Sequence, residues 1–251
     1  MSEELKRLAI EGAQYTVCSK TGIEFAQVPA GSFYGGHMVG ERITTPAFMM
    51  ARHPVTNGQW HQFVKETGYS PTDDHADLYL KHWEPDRQPT AEMINHPVTW
   101  ISFIDALHFT RWADAFVPSE WYWEKAARGI DGRLCPWGDE VELAGTVAHI
   151  RQTSTAVVGA YSHVITAFGC EQMIGNVSEL CLRIEEPSGE PAKQPVPESV
   201  GDDDLIALRG SCFLRSASRT MVCSYRRRLS ARRRNAWMGL RVCRPAEEAR
   251  P

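Results

Sequence analysis

The chain has 251 residues, with 27 Lys and Arg against 31 Asp and Glu for a net charge of −4, and it is 43% hydrophobic. That mix excludes a disordered, collagenous or coiled-coil chain. No apolar run approaches the ~20 residues of a membrane span, and the opening Met-Ser-Glu-Glu-Leu-Lys-Arg carries no apolar leader. Seven cysteines without a CxxC pair fit a reducing compartment, so a cytosol-like location is expected.

In chain order, Ile23 to Val28 alternates as a strand and runs into the turn Pro29-Ala30-Gly31-Ser32. Thr56 to Thr67 reads as a helix, because Thr56 and Gln59 form a capping box and Gly68 stands where a C-terminal glycine belongs. Ser102 to Ala113 repeats the pattern with Ser102 and Asp105. A shorter helix from about Ser119 to Arg128 closes at Gly129. Its Glu120 and Glu124 are expected to complement the helix dipole and face solvent. His75 and His82, close to Asp73, Asp74 and Asp77, give a weak metal signal, for which an ordinary polar loop is the simpler reading.

From Asp131 to Val164 the glycines and Pro136 break any period. The acidic, Pro- and Gly-rich stretch from Glu185 to Asp204 reads as a long surface loop. Leu205 to Arg209 and Gly239 to Cys243 are strand-length apolar segments. The expected architecture is α+β, with few helices, short strands and long irregular loops.

Charge is most uneven near the C-terminus. Arg209 to Arg244 contains eleven arginines and no lysine or acid, so this stretch is +11 and the rest of the chain is −15. Two readings follow: a solvated face partly neutralised by the acidic loop, or a surface for an anionic ligand or partner.

Several ordered blocks carry a resemblance. They are Phe25 to Phe33, His53-Pro-Val-Thr-Asn-Gly-Gln-Trp-His-Gln-Phe63, His96 to Ala106, Pro118 to Gly129, Pro136-Trp-Gly-Asp-Glu140, Gly175-Asn-Val-Ser-Glu179, Arg209-Gly-Ser211 and Gly239-Leu-Arg241. Together they resemble the formylglycine-generating-enzyme (sulfatase-modifying factor) family, a variant of the C-type-lectin fold. The resemblance covers roughly 23–244 and implies one domain over 23–246, an N-terminal extension over 1–22 and a tail over 247–251.

The resemblance also implies sites. The family's enzymes hold copper between two cysteines five positions apart, a soft-ligand site suited to Cu(I). Cys223 matches one position, but Ser218 stands at the other, and a hydroxyl does not replace a thiolate. Under the alternative reading, Cys223 serves a copper oxidase or an iron-dependent relative, its thiol activated by the surrounding arginines; the simpler reading of Cys223 is a small half-buried hydrophobe. Asn176 and Glu179 match residues that help hold a structural calcium in the family.

A second branch of the fold, the variable proteins of diversity-generating retroelements, resembles this chain in its eccentric C-terminal block. That resemblance implies a non-catalytic binding protein for a protein or carbohydrate ligand. Its contacting residues fall in 212–237: Phe213, Leu214, Arg215, Arg219, Met221, Ser224, Tyr225, Arg227, Arg233, Asn235 and Trp237. Arg, Tyr and Trp are the side chains richest in binding hot spots. Nucleic acid, suggested by Arg226-Arg227-Arg228 and Arg232-Arg233-Arg234, ranks below these ligands, given the sequence pI of about 6.1.

Overall fold

The computed structural model describes residues 15–36, 41–83, 85–183, 194–201, 204–215 and 218–246. Ten strands and four α-helices are present among them, joined by single turns of 3₁₀-helix. Two four-stranded sheets organise the molecule. The first contains β1 (Tyr15–Val17), β2 (Glu24–Val28), β5 (Phe48–Ala51) and β10 (Cys243–Pro245), all antiparallel. The second has the order β8-β7-β6-β9, formed by β8 (Arg226–Ser230), β7 (Leu205–Arg209), β6 (Ser178–Cys181) and β9 (Met238–Gly239). β3 (Gly31–Gly35) and β4 (Glu41–Thr45) make a separate hairpin ribbon.

Two hydrophobic cores flank these sheets, and strand alternation sorts side chains between them. In β7, Ile206 and Leu208 enter the core built on α1 (Asn57–Thr67) and α2 (Phe103–Ala113). Ala207 faces the other core, which contains Trp123 and Ala126 of α3 (Glu120–Arg128) and Ala144 and Val147 of the short α4 (Ala144–Val147). Trp60 stacks on Phe109 with ring centroids 4.9 Å apart and fastens α1 to α2.

The helix boundaries follow from local chemistry. Thr56 and Ser102 each close a complete capping box, and Gly68 ends α1 in the left-handed conformation at φ +67°. Asn57 then becomes a buried hub. Its Nδ2 donates to the carbonyls of Met93 and His96, and its Oδ1 accepts from Trp83 Nε1 and His82 Nε2, both at 2.8 Å. Gly210 is at φ +69°, and a Cβ there would lie 2.6 Å from the Met173 carbonyl, so the turn after β7 excludes larger residues.

Four expectations need correction. The fold begins before residue 23, because β1 pairs with β2 through Tyr15↔Ala26. The expected strand over 239–243 divides into β9 and β10, since the Leu240 and Val242 carbonyls accept instead from the Val55 and Ala51 amides at 2.7 and 2.9 Å. Glu120 and Glu124 do not face solvent; both are buried beside Arg209, with Arg209 Nη2 donating to Glu124 and Arg209 Nη1 3.9 Å from Glu120. Much of the acidic loop, 184–193 and 202–203, lies outside the described residues. The described part does not behave as a plain surface loop: Val200 enters the core, and Gln194 exchanges two hydrogen bonds with the Val117 backbone.

Burial pulls the pKa of His82 from its ordinary 6.5 down to about 4. Its neutral Nε2–H form donates to Asn57, and protonation costs more in the folded chain than in the unfolded one. Stability from this group is therefore present above pH 6.5 and is lost as pH falls toward about 4. In urea denaturation at stepped pH across that window, His82→Gln should show a flatter decline than the parent chain. Parallel curves would contradict this assignment.

Candidate functional site

The arginine-rich segment divides according to what surrounds each guanidinium. Arg209, Arg234 and Arg241 are buried and held by carboxylates. Arg234 donates to Asp105 through Nε and Nη2 at 2.8 and 2.9 Å, and to Asp73 through Nη1 and Nη2 at 2.8 and 2.7 Å. Arg244 is partly buried, donating to the Ala113 carbonyl and to Cys18 Sγ at 3.2 Å. Neither sequence-based reading of the arginines covers these four, because they act inside the scaffold.

The outward set begins on β8. Its pairing with β7 aligns Arg226 with Arg209, Arg227 with Leu208 and Arg228 with Ala207, so Arg227 and Arg228 emerge on opposite faces of the sheet. All three β8 arginines are exposed. Arg227 lies over the Trp237 ring at 5.2 Å from its centroid, a cation–π contact, and Arg226 is 3.5 Å from Glu120. At the end of β8, Ser230, Arg232 and Arg233 line an open groove of about 530 Å³ together with Asp73, Asp74 and His75.

The sequence-derived ligand residues do not form one surface. Leu214, Arg219, Arg227 and Arg233 are exposed, while Arg215, Tyr225, Asn235 and Trp237 are partly buried. Phe213, Met221 and Ser224 are buried and are corrected to scaffold residues. The backbone explains two of them: Phe213 N–H donates to the Asn176 carbonyl, and the Ser224 carbonyl accepts from Arg209 Nη1. Arg226, Arg228 and Arg232 stood out in the sequence only as a nucleic-acid signal, and Asp73, Asp74 and His75 only as a weak metal signal; nothing in the sequence brought the two groups together.

The metal assignments meet donors already in use. Glu179 accepts from Arg241 through both oxygens, at 2.8 to 3.1 Å, and its Oε2 also accepts from Trp123 Nε1 at 2.5 Å. Asn176 sits at φ +60°, with its amide exchanging two 3.0 Å hydrogen bonds with the Ala156 backbone. The pair does not fit a calcium site, because a cation would have to displace a buried guanidinium.

Cys223 is not presented as a free thiolate. It is completely buried, and burial raises its thiol pKa well above the ordinary range, overriding nearby Arg128 and Arg209. This removes the arginine-activated thiolate of the alternative reading and leaves Cys223 as a small hydrophobe, fully rather than half buried. Asp73 is bound by Arg234 and His82 by Asn57, so the His75–His82 cluster does not assemble. Among the described residues, no group of three or more His, Cys, Asp and Glu is placed to hold a metal. Nor is any helix there long and apolar enough to cross a membrane.

Comparison with known proteins matches this fold. The family model described as the sulfatase-modifying factor enzyme 1-like domain covers residues 14–246, and the chain belongs to that family. It is 30% identical to hercynine oxygenase from Mycolicibacterium thermoresistibile over 231 residues, covering 78% of this chain and 52% of that protein. It therefore spans about half the length of that relative. It is 29% identical to the formylglycine-generating enzyme of Mycobacterium tuberculosis, covering 76% of this chain and 87% of that protein. Among solved structures, Treponema denticola variable protein 1 superposes with a TM-score of 0.68 at 14% identity, over 94% of this chain and 100% of that one. The α+β, C-type-lectin-like architecture is shared with these proteins.

A sealed, protonated thiol reacts slowly with alkylating agents. Iodoacetamide labelling of Cys223, followed by peptide mass spectrometry, should track global unfolding across a urea series. Fast labelling of the native chain would contradict the burial assigned here.

Proposed function

We propose that this chain is a non-catalytic ligand-binding protein, which presents its ligand contacts from the 212–237 segment. The observation carrying this reading is the arrangement of the outward arginines: Arg227 and Arg228 stand on the two faces of an outer strand, and Arg227 stacks on Trp237. Guanidinium and indole groups held on a rigid sheet lose little conformational freedom on binding and suit a hot spot. The likeness in fold to a variable protein agrees with this reading.

Oxygen-dependent catalysis is the second reading, favoured by the names of the relatives, hercynine oxygenase and formylglycine-generating enzyme. Such chemistry would have to employ residues other than a Cys223–Ser218 pair.

One paired experiment separates the two. The full chain is probed on glycan and peptide arrays, and oxygen uptake is followed with Cu(I) and a cysteine-containing peptide under reducing conditions. Binding should appear on the arrays and weaken roughly tenfold or more in Arg227→Ala, the loss of one charge-assisted contact, with little change in Tm. Copper-dependent oxygen uptake without array binding would overturn the proposal.

A further inference from the structure

We propose that β8 receives an acidic segment of a partner protein in extended conformation, added as a fifth strand to the sheet β8-β7-β6-β9. This names the partner class for the binding reading above and rests on it.

The backbone supplies the first argument. β8 pairs with β7 along all five of its residues and has no strand on its other side among the described residues. On an outer strand, alternate N–H and C=O groups point away from the sheet and remain available for pairing. An added peptide would satisfy them with main-chain hydrogen bonds.

Charge supplies the second. Arg227 emerges opposite Leu208 on one face of the sheet and Arg228 opposite Ala207 on the other. An incoming strand also alternates its side chains, so acidic residues on both of its faces would each meet a guanidinium at cross-strand distance, about 4.5–5.5 Å between Cβ atoms. The same geometry selects against other strands. A second copy of β8 would set arginine against arginine, and like charges directly opposite destabilise a pair.

Among the described residues, Glu120 lies 3.5 Å from Arg226, and neither Arg227 nor Arg228 has a carboxylate within ion-pair distance. Beyond Ser230 the path continues into the groove lined by Arg232, Arg233, Asp73, Asp74 and His75. Arg234 already binds Asp73, so Asp74 is the acid that a partner would have to avoid there. Sulfated glycans and nucleic acids would use the same guanidinium groups, but they would leave the edge backbone unpaired. The exposed edge therefore favours a peptide.

Fluorescence anisotropy tests this with a labelled Glu–Val peptide of repeated Val-Glu-Glu-Val, which places Glu on both faces of a strand, the same peptide N-methylated at every second residue, and a Lys–Val counterpart. Heparin and an oligothymidylate are measured alongside, on the unaltered full chain. The Glu–Val peptide should bind, and the Lys–Val peptide should not. N-methylation removes the peptide's pairing donors but keeps its charge, and should weaken binding roughly tenfold or more. Raising salt to about 1 M, where the screening length is ~3 Å, should also weaken binding. Equal binding of the N-methylated peptide would overturn strand addition, as would failure of the Glu–Val peptide to bind. Heparin or oligothymidylate binding without peptide binding would likewise overturn the proposed partner, while leaving the general binding function intact. If none of these probes and no array ligand binds, both readings fail together.

Discussion

The buried pair between Arg241 and Glu179 joins most of the molecule at one point. Arg241 uses every arm of its guanidinium: toward Glu179, toward the carbonyls of Ala51 and Arg52 at 2.8 and 2.6 Å, and toward the Glu171 carbonyl at 2.7 Å. Glu179 in turn accepts from Trp123 of α3. The pair thus ties β6, the end of β5, the loop at residue 171 and α3 to the segment between β9 and β10. Removing two charges from water costs several kcal/mol per ion, and only full hydrogen bonding offsets that cost. The site has that completeness, which explains why Glu179 has no free oxygen for a cation.

The same logic extends to Arg209 with Glu124 and to Arg234 with Asp105 and Asp73. Lys125 is a related anchor, its ammonium held by the Pro29 and Gly31 carbonyls and Thr45 Oγ1, with burial pulling its pKa down to about 8. These contacts lock the sheet that carries β8. A rigid sheet can hold exposed arginines in fixed positions, whereas the same residues on a mobile loop would lose more entropy on binding. The electrostatics of the scaffold and of the displayed face are therefore two uses of one residue type.

The sequence disclosed those features whose causes are local. The capping boxes at Thr56 and Ser102 act over three residues, so both helix starts were legible. β7 was legible from its apolar run. β8 was not, because Arg-Arg-Arg-Leu-Ser lacks the alternation of a half-buried strand and becomes one only through pairing with β7. The roles of Asp105 and Glu124 were also hidden, since their arginine partners lie 129 and 85 residues away in the chain. Family resemblance located Glu179 and Cys223 but not their surroundings, and burial decides what each can do.

Unfolding free energies for single Arg→Gln variants across the segment test this division most directly. Arg209, Arg234 and Arg241 should each lose about 3–5 kcal/mol, the cost of stranding a buried charge. Arg219, Arg227, Arg228 and Arg233 should change by less than about 0.5 kcal/mol, as surface substitutions do. Similar losses in both sets would contradict the account, because the arginines would then have no separate scaffold and display roles.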